Sequence, residues 1–214
     1  MRFLCISDVH GYADALAAVL ATAERRGFAR LLVAGDLCFP GPQPLETWRR
    51  LVANGAECVQ GVGDQALAAI DPDKLRATTD HEQRRLDRLR GAQHELGELI
   101  LARLAKLSTT LRIPIETGGE ILLVHGSPRD PSEPISHEMS DDEIRKCVGD
   151  DPAGVIVCGG SHVPFDRSVG DRRIINVGSV GEAPGGEDAH ATFIDTSASG
   201  ISVEQFVVPL GRAA

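Results

Sequence analysis

The sequence predicts an α/β fold, and three observations carry that prediction. First, three short strand-like runs each end in an acid. Residues 2–6 lead into Ser7-Asp8, residues 31–34 into Gly35-Asp36, and residues 57–60 into Gly61-Val62-Gly63-Asp64. Second, residues 14–26 place Leu16, Val19, Leu20 and Ala23 on one helical face, with Asp14 in the first turn and Gly27 as a stop. Third, from Leu111 onward the pattern changes to β-type runs broken by Gly and Pro. A strand–helix–strand crossover is right-handed, so Asp8 and Asp36 emerge at one carboxyl edge, where open α/β sheets place their sites.

The other elements follow in order. Residues 41–44 form a loop and residues 45–53 a helix with Trp48, Leu51 and Val52 as its apolar side. Residues 65–108, rich in Arg, Glu, Leu and Ala, read as a helical insert within a single domain spanning 1–214; His81 and His94 lie among its charges and read as solvated. Residues 111–115 alternate, Gly118-Gly119 makes a tight turn, and residues 121–124 are a fully apolar strand ending in His125-Gly126. Residues 129–142 are a polar, Pro-rich loop and residues 141–148 a short helix. Strands are expected at 155–158, 165–169, 173–177, 191–195 and 201–208. The small-residue loop from Asn176 to Gly181 suits close approach of an anion.

The bulk properties exclude several classes. A chain of 214 residues with 42% hydrophobic and 25% charged residues is an ordinary single-core globule. A net charge of −9, with no run of Lys or Arg longer than two, argues against a nucleic-acid-binding face. The N-terminus enters a strand directly and no apolar segment reaches membrane length, so the expectation is a cytoplasmic protein without a membrane partner. Five cysteines without a C-x-x-C, three of them in apolar runs (Cys5, Cys58, Cys158), read as reduced thiols.

Asp8-Val9-His10 offers a carboxylate and an imidazole at one strand end, a donor pair for a divalent metal such as manganese, iron or zinc. Asp36, His125 and His162 each follow an apolar run and are the further ligand candidates. His137, Glu133 and Cys38 are weaker ones, better read as solvated loop residues and a packed thiol. Arg129, two residues after Ser127, is a candidate contact for a phosphate.

These motifs, with Gly41-Pro42 after Gly35-Asp36, the run His125-Gly126-Ser127-Pro128-Arg129-Asp130-Pro131 and His162-Val163-Pro164-Phe165, resemble the calcineurin-like metallophosphoesterase superfamily. The similarity is to its small bacterial and archaeal single-domain phosphodiesterases, the diadenosine-tetraphosphatase-like branch. The resemblance implies two mixed β-sheets packed as a sandwich between helices, and phosphomonoester or phosphodiester hydrolysis by a water on the metal. It assigns a first metal to Asp8, His10, Asp36 and His162. A second would share Asp36 and add His125, an asparagine where this chain has Val62, and a histidine where it has Gly160. Asp36 and His125 would carry the catalysis, and the loop of Asn176, Gly178 and Ser179 would face the anion. Position 63, often a histidine in relatives, is Gly63.

One ion opposite Asp8 and Asp36 leaves the centre neutral, whereas two leave it at +2, so losing the second weakens the pull on a phosphate. If that costs about 3–5 kcal/mol, the rate falls on the order of 10²–10⁴-fold. The expectation is therefore a metal-dependent phosphoesterase with one intact site, a doubtful second ion and reduced activity. The alternative is a catalytically weak or inactive binding or scaffold module with a protein partner or a second copy of itself. Within the superfamily, a retromer subunit with an altered site sets the precedent.

Overall fold

In the computed structural model, which describes residues 1–116 and 118–211, side-chain alternation sorts the apolar residues into three layers. Strand β1 (Arg2–Ile6) turns Phe3 and Cys5 to one side and Leu4 and Ile6 to the other, all buried. It pairs in parallel with β2 (Arg30–Val33), which pairs in parallel with β3 (Glu57–Cys58). On the other side of β1, β9 (Asp188–Ser197) is antiparallel and β10 (Gly200–Pro209) completes the sheet in the order β10-β9-β1-β2-β3. The second sheet has the order β4-β5-β6-β8-β7, from β4 (Thr110–Pro114), β5 (Glu120–Val124), β6 (Val155–Cys158), β7 (Phe165–Val169) and β8 (Arg172–Asn176). Its three central strands are parallel and its edges antiparallel, so both sheets are mixed.

Phe3, Cys5, Leu32 and Ala34 meet Ile121, Leu123, Val157 and Ile175 between the sheets. The outer face of the first sheet packs Leu4, Ile6, Leu31 and Val33 against α1 (Ala13–Glu24), α2 (Pro44–Ala53), α3 (Val62–Ala69) and α4 (Asp80–Leu104). The outer face of the second packs Leu122, Val124 and Ile156 against Ile144, Cys147 and Val148 of α5 (Asp141–Val148). Each fully buried Leu or Ile contributes roughly 1.5–3 kcal/mol by leaving water. The result is the helix–sheet–sheet–helix sandwich that the resemblance implies.

Some boundaries differ from expectation. β3 stops at Cys58 because Gln60 leaves the sheet and donates its N–H to Ser108 O at 2.8 Å. The helical stretch expected at 65–108 begins earlier, at Val62, and is divided by the short turn Pro72–Lys74. It is broken again at Gly97, whose φ of 72° only glycine adopts cheaply. Among the described residues no helix is long and apolar enough to cross a membrane.

Candidate metal centre

The parallel strands bring their ligand-bearing ends to one place. Asp8 follows β1, Asp36 follows β2, His125 follows β5 and His162 lies just beyond β6. Cross-sheet bonds lock these ends together. His125 Nδ1 donates to Ala34 O at 2.8 Å, Gly160 N to Asp8 Oδ2 at 2.9 Å, and Val180 N to Ser7 O at 3.0 Å. Asp8, His10, Asp36 and His162 are the only non-glycine residues with positive φ among the described residues, at 52°, 52°, 53° and 60°. Such backbones cost of order 1–3 kcal/mol each and cluster where side chains must be aimed. Here the surrounding bonds over-determine them.

Two donor groups result, Asp8 with His10 and His162, and Asp8 with Asp36 and His125. In the first, His10 Nδ1 donates to Phe39 O at 2.6 Å and His162 Nδ1 to Glu182 O at 3.1 Å. Both Nε2 atoms are thereby left as lone pairs, and they face each other at 3.1 Å. Asp8 Oδ1 stands 3.3 Å from His162 Nε2 and 3.6 Å from His10 Nε2, buried and without a hydrogen-bond donor. An orphaned buried oxygen beside two inward lone pairs fits a divalent cation. In the second group, Asp36 Oδ2 lies 3.6 Å from His125 Nε2 and 4.0 Å from His10 Nδ1. Asp36 thus stands on the His125 side, and Asp8 links the two groups.

The electrostatics agree. Burial pushes the Asp8 carboxyl up, but the close imidazoles of His162, His125 and His10 outweigh it and hold it below the usual range. The Asp8 carboxylate 3.3 Å away raises His162 against the effect of burial. Burial lowers His125, but Asp36 and Asp8 raise it further, so the net direction is up.

The supporting shell uses the backbone of α3. Asp64, fully buried, accepts from the N–H groups of Asp36, Leu37 and Gly61, each at 3.0 Å. Burial and the neighbouring Asp36 push its carboxyl up, while these bonds pull it down. Gly63 N donates to Asp36 Oδ1 at 2.6 Å. Gly61 must be glycine, since a Cβ there would sit 2.2 Å from Asp36 Oδ1 and 2.3 Å from its N.

Other expected residues are placed differently. Asn176 is buried and fully engaged: Nδ2 donates to Gly159 O, Ser161 Oγ and Ile135 O, and Oδ1 accepts from Gly178 N. Ser179 Oγ donates to Asp8 O and accepts from Glu182 N. The loop of Asn176, Gly178 and Ser179 is therefore a brace for Asp8 rather than an open anion cradle, because its polar atoms are spent internally. Arg129 lines a separate cleft with Pro128, Val148, Gly149, Asp150 and Asp151, where no ligand candidate lies. Arg129 sits within the turn from Ser127 to Asp130, closed by Ser127 N donating to Asp130 O, and its own N–H donates to Cys147 O. Glu133 interacts with Cys147, His137 is exposed, and Cys38 is a buried thiol raised by burial. All five cysteines are free, and burial pushes Cys58 and Cys158 up to about 12.

Val62 and Gly160, the two positions where the resemblance expects ligands, line a cleft of ≈ 190 Å³ with Asp36, His125, Pro131, Ser132 and Pro134. Sequence reasoning missed Glu182. Its Oε2 lies 3.6 Å from His10 Nε2, and its charge helps raise His162. The only signal was an acid directly after the small-residue loop.

Fold and centre together define an α/β sandwich with a carboxylate–imidazole metal locus at the joined sheet edges. The chain belongs to the calcineurin-like phosphoesterase superfamily, whose domain it matches over residues 1–199. It is similar in structure to a hypothetical protein from Pyrococcus horikoshii OT3 (22% identity, TM-score 0.81, 97% of this chain and 88% of that one). A metallophosphoesterase from Sphaerobacter thermophilus is also similar (24%, 0.75, 96% and 87%), as is a phosphoesterase from E. coli (20%, 0.55, 91% and 88%). No curated protein is matched at a significant level.

Proposed function

We propose that this protein is a metal-dependent phosphoesterase that acts as a single domain over 1–214, with 65–108 as its helical insert, in the cytoplasm. The observation that carries the reading is the pair of inward Nε2 lone pairs on His10 and His162 beside the orphaned Asp8 Oδ1. Asp8, His10 and His162 would hold one ion, manganese, iron or zinc, with Asp36 and His125 offering a weaker second locus. A bound ion supplies Lewis acidity toward a phosphoryl oxygen and toward the attacking water.

The chain's own residues do the rest. Asp36, fixed by Asp64 and Gly63, keeps its carboxylate Oδ2 toward His125 as an acceptor for the proton of an attacking water. His125, its Nδ1 committed to Ala34 and its protonated form favoured by Asp36 and Asp8, would present Nε2–H to negative charge developing on a phosphoryl oxygen when no second ion occupies that nitrogen. Val62 and Gly160 leave the second locus short of donors, which supports a doubtful second ion and reduced activity. The same two residues also favour the second reading, a catalytically weak binding module on this fold.

Turnover of bis-p-nitrophenyl phosphate with added Mn²⁺ is the test. The hydrolase reading expects measurable hydrolysis that EDTA removes and His10→Ala abolishes. No turnover with manganese, iron or zinc would leave the binding-module reading.

A further inference from the structure

The loop after Asn176 brings one more carboxylate to the centre than the strand ends supply. Consecutive residues press this loop onto the end of β1. Val180 N donates to Ser7 O, and Ser179 Oγ and Gly181 N both donate to Asp8 O. The approach is so close that a Cβ at Gly181 would lie 2.3 Å from Val9 O. Glu182 is then clamped on both sides of its own backbone. Its N–H donates to Ser179 Oγ at 2.8 Å, and its carbonyl accepts from His162 Nδ1 at 3.1 Å. One clamp leads through Ser179 to Asp8 and the other is His162 itself, so the side chain starts from a fixed place between two ligand candidates.

Its carboxylate joins the same cluster of acceptors. Glu182 Oε2 and Asp8 Oδ1 each stand 3.6 Å from His10 Nε2, and His162 Nε2 lies 3.1 Å from it. With the Nδ1 of each imidazole donated to a carbonyl, all four atoms are acceptors facing one place. Among the described residues no N–H or O–H donates to the Glu182 carboxylate. Asp36, which the resemblance places with the first ion, addresses His10 differently. Its Oδ1 accepts from Gly63 N, and its Oδ2 lies 4.0 Å from His10 Nδ1, the nitrogen already committed to Phe39. Its nearer partner is His125 Nε2 at 3.6 Å. After Asp8, the carboxylate nearest the free nitrogen of His10 is thus Glu182.

The geometry points to Glu182 as the fourth ligand of the first metal ion, beside Asp8, His10 and His162, and as the group that tilts this site toward manganese over zinc. Carboxylate oxygens suit manganese, whereas two imidazoles with a single carboxylate form an ordinary zinc set. The side chain is 34% exposed, which leaves it room to close on an ion from the solvent side. This rests on the phosphoesterase reading only for the presence of an ion at Asp8, His10 and His162. It adds to that reading a ligand and a basis for the choice of metal.

Equilibrium titration of the metal-free full chain with Mn²⁺ and with Zn²⁺, for the native protein and Glu182→Gln, tests this, together with the visible spectra of both proteins loaded with Co²⁺. The expected result is Mn²⁺ binding weakened about tenfold and Zn²⁺ binding by at most about threefold. The Co²⁺ bands should change in position and intensity as one ligand is lost. Equal weakening of both metals with unchanged Co²⁺ bands would reduce Glu182 to a nearby charge and overturn the proposal, as would unchanged affinities. None of these readouts uses turnover. If the native chain binds the ion and hydrolyses no diester, the hydrolase reading falls and the titrations still decide the ligand; if it binds no ion, both fall.

Discussion

His10 and His162 meet Nε2 to Nε2 at 3.1 Å, each with its Nδ1 already donated to a backbone carbonyl. Two lone pairs held face to face repel unless a proton or a metal ion lies between them, and a divalent ion also satisfies Asp8 Oδ1. Metal should therefore stabilise the fold: at a free Mn²⁺ concentration of 100 times Kd, one site adds about 2.7 kcal/mol. Thermal melts with EDTA and with Mn²⁺ should differ by several degrees for the native chain and coincide for Asp8→Asn. Equal melts for the native chain would remove the site assignment.

Glu182 changes the charge balance that Asp8 and Asp36 alone suggest. With its carboxylate 3.6 Å from His10 Nε2, three negative groups face the centre. One divalent ion then leaves about −1 and two leave about +1, so the acid favours recruitment of a second ion. Glu182→Gln should weaken Mn²⁺ binding about tenfold, an effect of ~1.4 kcal/mol, small because the side chain is one-third exposed. Calorimetric titration reads it directly, and an unchanged affinity would assign Glu182 to solvent.

The ligand candidates were legible because each follows an apolar run at the point where the chain leaves a sheet, as Asp8 does after Ile6 and His125 after Val124. Edge position is written in period and composition. Direction within a loop is not. Asn176 and Ser179 have the composition of an anion cradle, but whether their polar atoms face a ligand or Asp8 and Gly159 depends on contacts between distant segments. Glu182 was missed, and Arg129 expected at the centre, for the same reason, since both sit on loops whose path is set by the rest of the fold. The break at Gly97 was hidden because a single glycine in a helical pattern is tolerated more often than it interrupts.

Strand β3 is only two residues long, and its neighbour β2 holds it with a bidentate pair, Arg30 to Glu57 at 2.6 and 2.7 Å. The hydrogen bond from Arg30 holds the Glu57 carboxyl below its usual value of 4.5. A depressed carboxyl stabilises the folded state above the unfolded pKa and loses that contribution as pH falls through the folded pKa. Glu57→Gln should therefore cost roughly 0.5–1 kcal/mol at pH 7, discounted because the pair is partly exposed. The difference should shrink below about pH 4.5 and vanish in stronger acid. Urea melts of both proteins at pH 7 and pH 3 check it; a pH-independent difference would mean the pair acts through packing.

Gly61 separates fold from site. A Cβ there would meet the Asp36 carboxylate at 2.2 Å and its backbone N at 2.3 Å, and only one of these contacts could be relieved by a rotating side chain. Gly61→Ala should cost about 2–4 kcal/mol through strain and the disturbed Asp64 bonds. Metal binding should fall with it. Chemical denaturation together with metal analysis tests this, and an Ala variant of native stability would show that the α3 start is free to move.

Introducing the two donors that the resemblance expects is the sharpest test of the proposal that the second locus is weak. At Gly160 the φ is 73°, and a Cβ would approach Pro134 Cβ at 3.2 Å and His125 Nε2 at 3.5 Å. A histidine there is strained but not blocked, and four other ligand candidates already hold positive φ in this fold. Val62 is 45% exposed at the first position of α3 and borders the same cleft, so an asparagine needs no rearrangement. Val62→Asn with Gly160→His should therefore fold at a cost of about 1–2 kcal/mol. It should bind a second Mn²⁺ per chain and raise diester turnover on the order of 10²–10⁴-fold. A folded double variant that holds two ions and turns over no faster would show that activity is limited by something other than the missing donors, such as how substrate is seated.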